Sequence, residues 1–169
     1  MSLRVWAPRN AQPLALVAGV LALGARLVLA EADPMAAPTA VELTVVGGPT
    51  LNPNTEGRAS PVVVRIYDLA AAQAFETADF AALFEHPGET LKTDLLAQEE
   101  FMLRPGEIQQ HNRNLEARVQ VLGFVAAFRD LGQAVWHLAV TVKPGQRNFL
   151  LIDLDRNTIR VVPVDQGKS

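Results

Sequence analysis

The chain has 169 residues, 49% of them hydrophobic and 20% charged, a globular composition of one-domain size that excludes an intrinsically disordered polymer. A formal net charge of -3 without any basic run argues against a nucleic-acid-binding surface. The sequence contains no cysteine, so disulfides and thiolate metal sites are excluded and stability must come from core burial.

Residues 1–30 carry Arg4, Arg9 and Arg26, no acidic side chain, and an apolar stretch over 14–23. This is the layout of a secretory signal peptide, with small residues at Ala30 and Ala32 as cleavage sites. An uncleaved anchor or a buried helix is the alternative, disfavoured because Arg26 interrupts the apolar run. Residues 31–39, rich in Ala and Pro and without periodicity, read as a flexible tether, and a folded domain is expected over 40–169.

Val41, Leu43 and Val45 alternate with Glu42 and Thr44, the period of a strand with one buried face. Residues 47–60 are dense in Gly, Pro and Asn and form a loop whose length is uncommon in a compact domain unless it has a function. A β-branched run over 61–69 predicts the second strand. The period then changes. Phe80, Leu83 and Phe84 stand at helical spacing, with Thr77 or Asp79 as N-cap, so a helical insert is predicted around 70–86, ended by Pro87-Gly88.

Residues 100–103 predict a short strand, 104–107 a turn, and 108–115 a polar extended segment on an exposed edge. Residues 119–128 are apolar at almost every position, as expected of a strand covered on both faces, one of them by the helical insert. Residues 135–142 are expected to pair with it, and 149–154 and 158–162 to form a last hairpin. Seven or eight strands with one helical excursion give an all-β, two-sheet sandwich.

The candidates for chemistry are weak. His86, His111 and His137 are scattered, with no metal-ligand spacing, and no cofactor is implied. Asp153 and Asp155 share a strand face and could hold a hard cation, but a charged strand end explains them equally. Glu99 and Glu100, near Asp94, would need a common cleft for acid/base work, yet neighbours on a strand point to opposite faces. Ser60 precedes Pro61 and has no nucleophile elbow around it, and Gly47-Gly48 lacks the Lys of a phosphate loop. Trp136 and Tyr67 could line a sugar or peptide site, though single strand aromatics usually fill a core. Residue chemistry therefore points to a binding or scaffold module, not an enzyme.

The run Leu51-Asn52-Pro53-Asn54-Thr55-Glu56-Gly57-Arg58-Ala59-Ser60-Pro61-Val62-Val63-Val64-Arg65-Ile66-Tyr67-Asp68-Leu69 resembles the N-P-x-x-x-G-R-x-S-P-V-V-V-R-x-Y-x-L pattern of the TssJ family, outer-membrane lipoproteins of type VI secretion systems. Residues 74–84, 94–107 and 122–130 extend the resemblance over 41–162. It implies a transthyretin-like sandwich with a helical insert, facing the periplasm from the inner leaflet of the outer membrane. It also implies a non-enzymatic structural role, in which the loop between the first two strands engages the periplasmic C-terminal domain of TssM, the partner of TssL in the inner membrane. Carried over, that loop comprises Thr50, Leu51, Asn52, Pro53, Asn54, Thr55, Glu56, Gly57 and Arg58, with Leu51 as an apolar anchor and the polar residues as a preshaped contact.

The sequence departs from the family at the lipobox, whose cysteine carries the acyl chains. Here Val28-Leu29-Ala30 is followed by Glu31, so no residue for lipid attachment is present. Either a soluble periplasmic variant is held at the membrane by a partner, or the cysteine has been replaced. Two readings compete with the secretion subunit: a periplasmic carbohydrate- or peptide-binding sandwich using Trp136 or a sheet edge, and a periplasmic hydrolase built on the carboxylates from Asp94 to Glu100.

Overall fold

The structure, a computed structural model, describes residues 38–164; the expected signal segment 1–30 and residues 31–37 of the expected tether lie outside the described residues. Thr39, expected in the tether, is instead the first residue of β1 (Thr39–Gly47), buried, with its hydroxyl accepting from the Gly145 amide at 2.8 Å. Its polar side chain gives no hydrophobic periodicity, which is why the strand start is invisible in the pattern.

After β1 come β2 (Val62–Leu69), the short helices α1 (Gln73–Thr77), α2 (Phe80–Glu85) and α3 (Pro87–Leu91), and then β3 (Leu95–Leu103). The chain continues through β4 (Ile108–Leu115), β5 (Val121–Ala126), β6 (His137–Thr141), β7 (Arg147–Asp155) and β8 (Thr158–Val162). One sheet has the order β4-β1-β7-β8 and the other β3-β2-β5-β6. β1 and β7 pair in parallel, and the other neighbours are antiparallel. This is the expected all-β, two-sheet sandwich with a helical insert.

The inward-facing residues of both sheets form the main core, including Val41, Leu43 and Val45 of β1, Val64 and Ile66 of β2, Leu122 and Phe124 of β5, and Ile152 and Leu154 of β7. A second cluster lies between the β3-β2-β5-β6 sheet and the helices: Tyr67, Leu69, Phe75, Leu83, Leu91, Val121 and Val125. β5 contributes to both and is buried at all six positions, as its continuous apolar run predicts. The polar alternation of β4 likewise places it at a sheet edge.

Gly123 lies under Phe75, so close that a Cβ there would stand 2.7 Å from the ring. Glycine is thus what lets the insert seat on the sheet. Two outward side chains of β2 then fasten α2 by its C-terminal carbonyls, which no helical amide can reach. The Tyr67 hydroxyl donates to the Leu83 carbonyl at 2.8 Å, and the Arg65 guanidinium donates to the Phe84 carbonyl and covers the Phe84 ring, 3.9 Å from its centroid. Helices of five or six residues are unstable alone, so this docking holds them.

Two sequence expectations change here. Pro87 does not end the helical region but opens α3 as a first-turn proline, where its fixed φ suits a helix and its missing N–H costs nothing. The helical excursion consequently runs to a 3-10 turn ending at Asp94. β3 is a nine-residue strand, not a four-residue one: Leu95-Leu96-Ala97-Gln98-Glu99, which lacks a clean period-two alternation, already runs along the sheet edge beside β2. Of the two proposed N-caps it is Asp79 that caps α2, accepting from the Ala82 amide at 2.7 Å, whereas the Thr77 hydroxyl bonds back to Gln73.

Phe75→Ala is expected to lower stability by about 3–5 kcal/mol and Gly123→Ala by about 1–3 kcal/mol, read by urea denaturation. The double variant should lose clearly less than their sum, since removing the ring frees the space the new methyl group needs. Simple additivity would mean that ring and glycine do not share that space.

Candidate functional site

The loop over residues 48–61 carries the chain from β1 in one sheet to β2 in the other, and it is tied down at its base. The Thr50 amide and hydroxyl both donate to Asp155 Oδ1, at 3.1 and 2.8 Å. Leu51 is fully buried in the main core. Asn52 is 4% exposed, with a left-handed φ of 47° that asparagine tolerates better than most residues. Its Nδ2 donates to the Pro61 carbonyl at 2.7 Å, its Oδ1 accepts from the Arg129 amide at 2.8 Å, and its own amide donates to the Arg156 carbonyl at 2.8 Å. One residue thus joins the β1–β2 loop to the β5–β6 connection through its side chain and to the β7–β8 connection through its backbone amide.

These contacts correct the expectation for two of the nine loop residues. Leu51 cannot serve as an apolar anchor for a partner, because its side chain already fills the core, and Asn52 is buried with both ends of its side-chain amide bonded inside the fold. What remains outward is the tip. There Asn54 accepts at Oδ1 from the amides of Glu56 and Arg58, at 3.0 and 2.9 Å. Its amide donates to the Arg58 carbonyl and its carbonyl accepts from the Gly57 amide, both at 2.9 Å. Gly57 has φ +78°, a conformation that disfavours any side chain. The result is a closed asparagine turn that exposes Thr55, Glu56 and Arg58. The Glu56–Arg58 ion pair, at 2.7 Å, is too exposed to contribute much to this shape.

Behind the tip lies a recess of about 410 Å³ lined by Pro53, Asn54, Thr55, Arg129, Asp130 and Asn157. The last three come from the β5–β6 and β7–β8 connections. Sequence reasoning passed over them because they lie far along the chain and carry no motif of their own.

The other candidates are engaged within the fold. Tyr67 is buried beneath α2, and Trp136 is half-buried, edge-on to Phe80 at 5.5 Å, so they form no exposed aromatic platform. Asp153 pairs with Arg160 at 2.6 Å, and Asp155 holds Thr50. Glu99 and Glu100 point to opposite faces: Glu100 pairs with Arg65 at 2.6 Å, and Glu99 turns between the sheets to His111 Nδ1 at 3.0 Å. Beside Glu99, Arg113 binds Asp68 at 2.7 Å. Asp68 Oδ1, His111 Nε2 and Arg113 Nη1 in this cluster are buried without a partner. Burial pushes the Asp68 carboxyl above its ordinary value, and Arg113 offsets only part of that. His137 lies against Phe75 and Trp136, and His86 is exposed between α2 and α3.

Residues 39–157, from the first strand through the loop, Arg129 and Asn157, match the type VI secretion lipoprotein family T6SS-SciN, described by the names VasD, EvfM and TssJ. The chain belongs to this family. It is similar to the T6SS lipoprotein TssJ1 from Pseudomonas aeruginosa, 40% identical, with 75% of this chain and 98% of that chain covered and a TM-score of 0.73. It is also similar, at 27% identity and TM-score 0.66 over 75% of this chain and 99% of the other, to a chain in a structure of the type VI membrane complex. A chain in a structure described as the TssM C-terminal domain from EAEC matches at 27% identity and TM-score 0.63, covering 74% of this chain and 98% of that one. No curated protein matches in sequence. T6SS-SciN members are secretion-system lipoproteins, which is not an enzyme class.

Asn52→Ala should destabilise the protein by about 2–4 kcal/mol, because it orphans the buried Pro61 carbonyl and Arg129 amide and forces alanine into a left-handed backbone. Asn52→Gly should lose roughly 1 kcal/mol less, the strain alone being relieved. Equal losses in denaturant titrations would remove the strain from this account.

Desolvation is the largest single effect on the Asp155 carboxyl and favours the neutral acid, but the hydrogen bonds from the Thr50 hydroxyl and amide and the Arg156 amide together outweigh it and lower the pKa below the ordinary 3.8. A lowered folded-state pKa gives stability that is present above the unfolded value and lost as pH falls through the folded one. The stability advantage of the wild type over Asp155→Asn should therefore shrink as the pH drops below about 4. A difference that grows on acidification in thermal melts would contradict this.

Proposed function

We propose that the chain is a non-enzymatic structural subunit of a type VI secretion membrane complex. In this reading it sits in the periplasm at the inner leaflet of the outer membrane and links that membrane to the inner-membrane TssM–TssL pair. Its β1–β2 loop docks on the periplasmic C-terminal domain of TssM. The observation that carries the reading is the internally bonded tip at residues 54–58, whose base is fixed to two other connections. A tip ordered before contact loses little conformational entropy on binding, which suits a permanent adhesive surface.

The similarity to chains in structures of the type VI membrane complex and of the TssM C-terminal domain supports the choice of partner. No described helix is long and apolar enough to cross a membrane. The work of such a subunit is adhesion between envelope layers, consistent with carboxylates that serve in pairs and hydrogen bonds inside the fold.

Replacing Thr55, Glu56 and Arg58 together by Ala, all three being exposed, should leave the melting temperature near that of the wild type. It should weaken binding to a cognate TssM periplasmic domain by about 10-fold or more in calorimetric titration. Unchanged affinity would move the interface off the loop, and no binding by the wild type would reject the function itself.

A further inference from the structure

The recess behind the tip is unlike the rest of the loop in one respect: it is lined by an arginine that forms no ion pair among the described residues. Arg129 is exposed, and among the ion pairs of the described residues its guanidinium takes part in none, although its backbone amide is held by Asn52. The neighbouring Asp130 leans over its own turn, its Oδ1 3.7 Å from where a Gly132 Cβ would stand. Glu56, the acidic residue of the tip, is already taken by Arg58. Asn157 lines the recess as well, and its Oδ1 is buried without a partner.

We infer that this recess is a second contact point, which receives an acidic side chain from the protein that binds the loop, paired with Arg129. The inference rests on the loop-docking reading above and specifies its chemistry. A volume of about 410 Å³ accommodates a side chain together with its adjoining backbone. Closing a protein surface over the recess removes water from Arg129, and an unpaired guanidinium in that position would oppose binding unless the partner supplies an anion. A carboxylate matches the planar fork of arginine with two parallel hydrogen bonds, which no neutral side chain does.

The walls are also rigid enough for such a role. Arg129 and the Arg156-Asn157 turn are each bonded to Asn52, so tip and recess keep a fixed geometry and can be read by one partner surface at once. The tie to Arg129 uses its backbone, and replacing its side chain leaves the loop intact.

The test is the affinity of the protein for a TssM periplasmic domain, measured for the wild type, Arg129→Glu, Arg129→Gln and the triple-alanine tip variant at two salt concentrations. Arg129→Glu is expected to weaken binding about 10-fold or more, Arg129→Gln less, and both to flatten the salt dependence. Changing the responsible partner carboxylate to Lys should restore binding of Arg129→Glu specifically. If both Arg129 variants bind as the wild type does while the tip variant fails, the recess is overturned and the loop reading stands. Loss with the Arg129 variants but not with the tip variant would keep the recess and overturn the tip. A wild type that does not bind overturns both. Should Arg129→Glu melt early, the salt slope of the wild type decides, since a flat slope excludes the ion pair.

Discussion

The architecture turns on β5, a strand with no side facing water. Its inward residues meet the opposite sheet and its outward residues meet the helical insert, so the molecule is in effect three layers deep along this line. Such a strand leaves little room for added atoms: at Gly123 even a methyl group would press on the Phe75 ring. The insert is correspondingly simple: three short helices that need only an apolar underside and two hydrogen bonds from Tyr67 and Arg65. Placing it between adjacent strands β2 and β3 covers one sheet without interrupting the order of either.

With the sandwich body rigid, one of its ends can hold a precise surface. Asn52 gathers three connections that are distant in sequence, spending both ends of its side-chain amide and its backbone N–H in doing so. The exposed tip then needs only local closure, which the Asn54 side chain and the left-handed Gly57 provide. This division explains how fourteen residues without regular secondary structure, from 48 to 61, hold one shape. The base is buried and bonded tertiary structure, and the tip is an autonomous turn. Functional recognition by such an end depends on preorganisation and on charges left available, more than on buried area.

Charged residues elsewhere follow a different logic. Between the sheets near β3 and β4, Asp68, Glu99, His111 and Arg113 satisfy one another partly and leave three polar atoms unbonded. On the outer faces, Arg65–Glu100 and Arg160–Asp153 are cross-strand pairs that fix neighbouring strands in register. The carboxylates are therefore distributed through the framework, which is the behaviour of a scaffold.

Much of this was determined by the sequence alone. Period-two alternation marks β1 and β4, an unbroken apolar run marks β5, and a length of Gly, Pro and Asn marks the long loop between β1 and β2, because each of these signals is local. The family is legible for the same reason, in the contiguous run from Leu51 to Leu69. Pro87, read from the sequence as the end of the helical region, instead opens α3, since the same residue can end one helix or start another and only the chain direction after it decides. The inward turn of Leu51 and Asn52, and the meeting of Pro53 and Thr55 with Arg129 and Asn157, were decided by tertiary structure. Local pattern shows which residues can be buried or bonded. Which loop residues actually are depends on partners some 77 and 105 positions away, as at Asn52–Arg129 and Thr50–Asp155, and no window along the chain contains both ends of those bonds.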